Sequence, residues 1–201
     1  MNFLQAVRDA LDDALGDPSV VLLSQLGRWG LGGMTTGLYE RHPKRVLTMP
    51  NSEALMHGAA MGMALAGQRP IVLNERMDFL LLAMDALVNH IPIWPARAAM
   101  PMPVTVIAVI GKGKGQGPQH SKNLTGWFRS LEGWTVAEPA SPREVGTMLR
   151  AAVFGERPTI YVMHREFFKS EGEVSLPVVD RVRFCGASLR HERAFYEGVD
   201  R

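Results

Sequence analysis

Glu53 stands near the head of the stretch PNSEALMHGAAMGMALAGQRPIV, residues 50–72, and introduces a run of small and oily residues. A carboxylate in the first turn of a helix complements the positive end of the helix dipole, and position alone favours that reading. The neighbours point elsewhere. A carboxylate entering an apolar surface is desolvated and costly, and such a group usually has a task, such as holding or moving a proton. His57 follows one turn later, giving Glu-x-x-x-His. That is not a zinc-protease spacing, and no cluster of cysteine or histidine accompanies it, so the residues suggest no metal site. His120 lies in GPQHS, just past the glycine-rich GKGKGQG at 111–117. This loop matches neither G-x-x-x-x-G-K-[ST] nor G-x-G-x-x-G. It reads as a flexible loop with solvated lysines. A second reading has Lys112 or Lys114 meeting the phosphate or carboxylate of a substrate.

The elements that must hold these residues alternate along the chain. Leu4, Val7, Leu11 and Leu15 recur at three and four residues and predict an N-terminal helix with one apolar face. Apolar runs at 19–24, 45–49, 70–74, 104–110, 135–139 and 159–163 predict six strands. Helices are expected over 53–67, 78–90, 122–131 and 141–154, with Ser52 and Ser141 as caps and Pro142 at a first helical position. The glycine-rich 27–37 predicts a loop. Strands that are apolar throughout and alternate with helices predict an α/β fold: a doubly wound, mostly parallel six-stranded sheet with helices on both faces. In the helix after Glu53, Ala54, Gly58, Gly62 and Ala66 form a stripe of small side chains that lets another helix approach closely. Its other faces carry leucine and methionine. A helix apolar all round should be buried on every side. One face can pack on the sheet, so the other predicts a subunit interface. The pattern fades after Phe168, and 169–201 reads as an arm or linker stub.

Bulk properties bound the class. The chain has 201 residues, 46% hydrophobic and 21% charged, which suits one globular domain plus a tail. A net charge of +2 gives no argument for nucleic acid or a membrane surface. The single cysteine, Cys185, excludes an internal disulfide and fits a reducing cytoplasm. The start, MNFLQAVRDALDDALGD, is amphipathic and acidic, unlike a signal peptide. The most apolar helix-like run, 54–67, is about fourteen residues, whereas a membrane span needs roughly twenty.

Four blocks in order, PNSEALMHGAAMGMALAGQRPIV, MDFLLLAMDALVN, GPQHSKNLTGWF and GWTVAEPASPREVGTMLRAAV, resemble successive blocks of the pyrimidine-binding domain of thiamine-diphosphate-dependent enzymes. The resemblance is closest to the beta subunit of 2-oxo acid dehydrogenase decarboxylase components, with transketolases as wider relatives. It marks 1–168 as the pyrimidine-binding domain. It implies that Glu53 hydrogen-bonds N1′ of the cofactor's aminopyrimidine and favours its imino tautomer, so that the exocyclic nitrogen can take the proton from C2 of the thiazolium. It implies that Phe79 packs on the pyrimidine ring, where the residues alone read equally as core. It implies that His120 sits at the mouth of the site, shuttling protons or orienting a substrate, a task that its ordinary pKa suits. This sets His120 ahead of His42, His90, His164 and His191. Relatives carry mostly small or aliphatic residues where His57 stands, so His57 can face the site or the partner.

The chain contains no Gly-Asp-Gly and no plausible oxygen set for the Mg²⁺ that binds the diphosphate. It should therefore be half an active site. The resemblance implies a separate diphosphate-binding subunit that holds thiamine diphosphate through Mg²⁺, in an α2β2 heterotetramer or a homodimer. Three departures stand out: 169–201 reads as an arm, with no transketolase-type C-terminal domain, where the beta subunits of the family continue into one. Ser24 and Gln25 replace an acidic pair, and HIPIWPARAAM replaces a more polar helical segment, suggesting a remodelled pocket or subunit contact. The implied function is the pyrimidine-domain subunit of a two-subunit enzyme that cleaves or forms a carbon–carbon bond next to a carbonyl. Either 2-oxo acid decarboxylation with acyl transfer or two-carbon ketol transfer fits. The alternative is a non-catalytic scaffolding or regulatory relic. A nucleotide-binding α/β protein is disfavoured, because no acidic residue closes the strand RVLTM.

Overall fold

A computed structural model describes residues 1–111, 117–172 and 182–184. Six apolar runs form β1 (Val20–Ser24), β2 (Val46–Thr48), β3 (Arg69–Asn74), β4 (Thr105–Ile110), β5 (Thr135–Ala137) and β6 (Thr159–His164). All six pair in parallel, in the order β2-β1-β3-β4-β6-β5. A seventh strand, β7 (Val182–Phe184), comes from the stretch read as an arm and pairs antiparallel with β5, Val136 opposite Arg183. Three residues are too few to show a period, which is why the sequence did not announce it. The rest of that stretch, 173–181 and 185–201, lies outside the described residues, as do Lys112 and Lys114.

The helices are α1 (Phe3–Leu15), α2 (Leu38–Arg41), α3 (Glu53–Leu65), α4 (Trp94–Ala98), α5 (Thr125–Ser130) and α6 (Pro142–Phe154). Asn2 caps α1 by accepting from the Gln5 N–H, and Ser141 caps α6 by accepting from the Glu144 N–H. One face of the sheet packs on α1 and α6, where Phe3, Leu11, Leu149 and Val153 meet Leu22, Ile107 and Tyr161. The other packs on α3, α5 and residues 77–91, where Met56, Leu80 and Phe128 meet Val72, Val106 and Val162. In β4, Ile107 and Val109 point to the first core while Val106, Ala108 and Ile110 point to the second. That two-sided burial makes each strand an unbroken apolar run. Buried polar groups are satisfied inside it: the Tyr161 hydroxyl donates to the Val145 carbonyl, and Trp134 Nε1 to the Leu87 carbonyl, each at 2.8 Å.

One expectation needs correction. The helix expected over 78–90 is a 3₁₀ run, Met77–Ala83, followed by a π turn, Asp85–His90. Its buried positions explain the winding. Met77, Leu80 and Ala83 are three apart, the period of a 3₁₀ helix, whereas Leu87 and Ile91 follow at four. As expected of a helix with one face left for a partner, α3 is buried on one side only of this chain. Met56, His57, Ala60 and Ala64 face inward, but Ala54, Gly58, Gly62 and Ala66 are exposed, beside half-exposed Leu55. A methyl group added at Gly58 or Gly62 would meet nothing within 4 Å. The stripe of small side chains is open surface. No helix among the described residues is long and apolar enough to cross a membrane.

Candidate active site

From β1 the chain moves outward to β2, then returns past β1 to β3 and proceeds the other way to β4. Loops leaving β1 and β3 therefore diverge, and a crevice opens at the carboxyl ends of the strands, where doubly wound sheets bind ligands. A cleft of about 240 Å³ lies here. Gln25 and Leu26 enter it after β1, Glu53 after β2, Asn74 at the end of β3, Glu75, Arg76 and Phe79 after it, and His120 after β4. The three site residues expected from the sequence, Glu53, Phe79 and His120, thus line one cleft. Nothing from HIPIWPARAAM does; α4 lies on the surface, with Ile93 and Met100 exposed.

Ser52 starts α3 by accepting from the Leu55 N–H at 3.4 Å, which sets Glu53 in the first turn. Glu53 is only 6% exposed, and Gln25 Nε2 donates to its Oε1 at 3.0 Å. His57 turns inward from the next turn and is fully buried. Its Nδ1 donates to the Glu53 carbonyl oxygen at 2.8 Å. Burial pushes the imidazole pKa down to about 4, outweighing the bond to the Glu53 backbone and the charge of Glu53, so His57 is neutral. Asn74 Nδ2 lies 3.4 Å from His57 Nε2, and Asn74 Oδ1 is buried with no hydrogen-bond partner among the described residues. The sequence left open which way His57 points. It does not line the cleft; it braces two residues that do.

Phe79 and His120 meet in the cleft, ring edge to ring face, with centroids 5.4 Å apart. Buried Asp78 holds the loop after His120: its Oδ1 accepts from the Lys122 N–H at 3.2 Å, with Lys122 Nζ at 3.6 Å. The Leu124 N–H adds a contact to Met77 Sδ at 3.1 Å. The segment that carries Phe79 therefore also positions His120.

Glu75 and Arg76 were not anticipated. Burial pushes the Glu75 carboxyl up, against the pull of Arg76 and Arg165. The Arg76 guanidinium, pushed down by burial and by Arg165, donates from Nη1 to the Glu75 carbonyl at 2.7 Å. The available signal was position: both follow β3 directly, at the carboxyl end of a strand beside the reversal of strand order. A second polar cluster lies off the cleft. Glu138 Oε2 is 2.6 Å from Arg129 Nη2, and Oε1 is 2.6 Å from His164 Nε2. Burial acts to raise the Glu138 pKa, but His164 and Arg129 together hold it below the usual range.

A buried carboxyl, an aromatic wall and an unsatisfied amide oxygen suit a flat heteroaromatic ring carrying both a nitrogen acceptor and an N–H donor. No group of three or more His, Cys, Asp or Glu side chains able to hold a metal ion occurs among the described residues. Strand order and cleft together define the class: a doubly wound α/β domain that takes a ligand at its switch point. The family model described as transketolase, pyrimidine binding domain, matches residues 1–169, and the chain belongs to that thiamine-diphosphate-dependent family. It is 32% identical over 186 residues to the acetoin:2,6-dichlorophenolindophenol oxidoreductase subunit beta of Cupriavidus necator, covering 84% of this chain and 54% of that one. It is 31% identical over 166 residues to the pyruvate dehydrogenase E1 component subunit beta of Chaetosphaeridium globosum, covering 80% and 51%. The chain thus spans about half the length of the curated relatives it matches. Among solved structures, a split-gene transketolase described as an inactive beta4 tetramer superposes with a TM-score of 0.64 at 20% identity, over 89% of this chain and 55% of that one. The transketolase from Leishmania mexicana gives 0.69 at 17% identity, over 84% and 26%. At those identities the likeness is one of fold.

Proposed function

We propose that this chain is the pyrimidine-domain subunit of a two-subunit thiamine-diphosphate enzyme that cleaves or forms a carbon–carbon bond next to a carbonyl. The observation that carries the proposal is Glu53, a buried carboxyl at the head of α3, in a cleft shared with Phe79 and His120. Glu53 holds the ring nitrogen of the aminopyrimidine, Phe79 packs on the ring, and His120 moves a proton or orients the substrate at the mouth. When bound, the coenzyme supplies the electron sink; the protein supplies orientation and protonation state. A diphosphate-binding subunit holds the other half through Mg²⁺ and docks on the open face of α3, where Ala54, Gly58 and Gly62 let a helix come close, in an α2β2 assembly. Residues 1–168 make the pyrimidine-binding domain and 169–201 an arm. The single cysteine suits a reducing compartment, the cytoplasm. The substrate is a 2-oxo acid or a ketose.

The test mixes the chain with a candidate diphosphate-domain subunit, thiamine diphosphate and Mg²⁺, then measures coenzyme affinity and turnover of both substrate classes. The wild-type complex should bind and turn over, and Glu53→Gln should lower kcat by about 10²–10⁴-fold. Equal turnover by the two would remove the catalytic assignment and leave a scaffolding role.

A further inference from the structure

We propose that Asn74 is a ligand-binding residue of the cleft: its Oδ1 accepts from an N–H donor on a heteroaromatic amine, and His57 is the positioning residue that aims the amide. The inference rests on the reading of the cleft as an aminopyrimidine site and adds a contact that reading does not contain.

The protons around His57 can occupy only one arrangement. His57 Nδ1 is 2.8 Å from the Glu53 carbonyl oxygen, and a carbonyl oxygen only accepts, so Nδ1 carries the hydrogen. The ring is fully buried and neutral, so Nε2 carries a lone pair and nothing else. The Asn74 amide reaches Nε2 at 3.4 Å. Only its NH₂ end makes a bond there; turned over, the amide would set oxygen against a lone pair. The His57 tautomer therefore decides the amide orientation. It leaves Oδ1 as an acceptor without a partner among the described residues, although Asn74 is 97% buried, being only 3% exposed, and lines the cleft. Buried acceptors are nearly always satisfied in folded proteins. An unsatisfied acceptor on a residue that lines a ligand cleft is a contact left for a donor from the ligand.

The neighbours select the kind of donor. Glu53 in the same cleft suits a ring nitrogen, and Phe79 suits a ring face. A ring that also carries an exocyclic NH₂ meets Oδ1 with a hydrogen bond, while the same ring with an exocyclic oxygen meets it with repulsion. The cleft should therefore tell an amino ring from an oxo ring. If ordered water already satisfied Oδ1, no such discrimination would arise.

The experiment uses the full chain, isotopically labelled, with 4-amino-2-methylpyrimidine and its oxo counterpart, 2-methylpyrimidin-4-one, as probes. Long-range proton–nitrogen correlation on His57 should show hydrogen on Nδ1 and a bare Nε2; hydrogen on Nε2 overturns the inference. Nuclear magnetic resonance titration should show the amino probe binding at least about tenfold more tightly than the oxo probe, with the Asn74 side-chain resonances moving. Asn74→Leu, nearly isosteric and without an acceptor, should bring the ratio close to one. His57→Phe, which frees the amide to turn, should lower it too. The wild-type tautomer and ratio decide the matter even if a variant does not fold. A wild-type ratio near one, or no binding of either probe, overturns the inference. Glu53→Gln separates the two claims. If it weakens both probes while Asn74→Leu keeps the preference, the Asn74 assignment alone falls. If Glu53→Gln leaves both affinities unchanged, the reading of the cleft falls with it.

Discussion

Acid should destabilise this fold through His57 in a definite pH window. The ordinary histidine pKa is 6.5 and burial brings His57 to about 4 in the folded chain. Below about pH 6.5 the unfolded chain takes up a proton that the folded chain refuses until about pH 4. The unfolded state thus binds more protons across that window, and stability falls as the pH falls through it. Above pH 6.5 the ring is neutral in both states and contributes no slope. A gap of about 2.5 units corresponds to about 3 kcal/mol, developed fully near pH 4, a large part of a typical total stability. Glu53 is the charged group that opposes the shift, and its attraction is already included in that balance. Urea unfolding followed by circular dichroism, from pH 7.5 to 4, would measure it for the wild type and for His57→Phe. The variant loses the imidazole and with it this slope. The stability difference between the two should change in the variant's favour by about 3 kcal/mol from pH 7 to pH 4. Carboxylates whose folded pKa is depressed, such as Glu138, lose stabilisation only below their ordinary range and do so equally in both proteins. Curves that stay parallel within about 0.5 kcal/mol would mean that His57 gains its proton in the folded state without cost, refuting the buried, neutral assignment.

Two further outcomes are expected. Glu138→Ala strips Arg129 and His164 of their shared buried carboxylate and should cost about 3–5 kcal/mol in chemical denaturation; a loss under about 1 kcal/mol would show that water replaces the carboxyl. Gly133→Ala should cost about 2 kcal/mol or more by the same assay, because Gly133 sits at φ +88° and an added methyl group would collide with the Pro92 carbonyl oxygen; a neutral substitution would show that the turn before β5 can shift.

Much of the fold could be read because burial is periodic. Leu11 and Leu15 mark α1 four residues apart, and β4 is unmistakable because both of its faces are covered. The reading failed where a period was assumed instead of measured. Residues 78–90 read as a helix from their place between two strands, yet Met77, Leu80 and Ala83 stand three apart. For α3 the difficulty was different. Two apolar stripes run along it, Met56-Ala60-Ala64 and Ala54-Gly58-Gly62, and composition does not say which one meets the sheet. The prediction that one face lacks a partner within the chain was sound; the identity of that face needed the packing.

The site divides along similar lines. Glu53 could be found because a carboxylate is out of place among alanine and methionine. Phe79 and His120 came only through the resemblance, since a phenylalanine on an apolar segment and a histidine in a loop are ordinary. Asn74, Glu75 and Arg76 were hidden because their meaning depends on strand order: the end of β3 matters only when β1 is known to lie beside it. His57 shows how far such dependence reaches. Turned inward, it is held neutral by burial and left with one available tautomer, and that tautomer sets the amide of Asn74. An aliphatic residue in its place would leave the amide free to turn. The two positions should therefore be coupled, and a double-mutant cycle on His57→Phe and Asn74→Leu should show strong non-additivity, because once the imidazole is gone the amide no longer has a fixed orientation to lose.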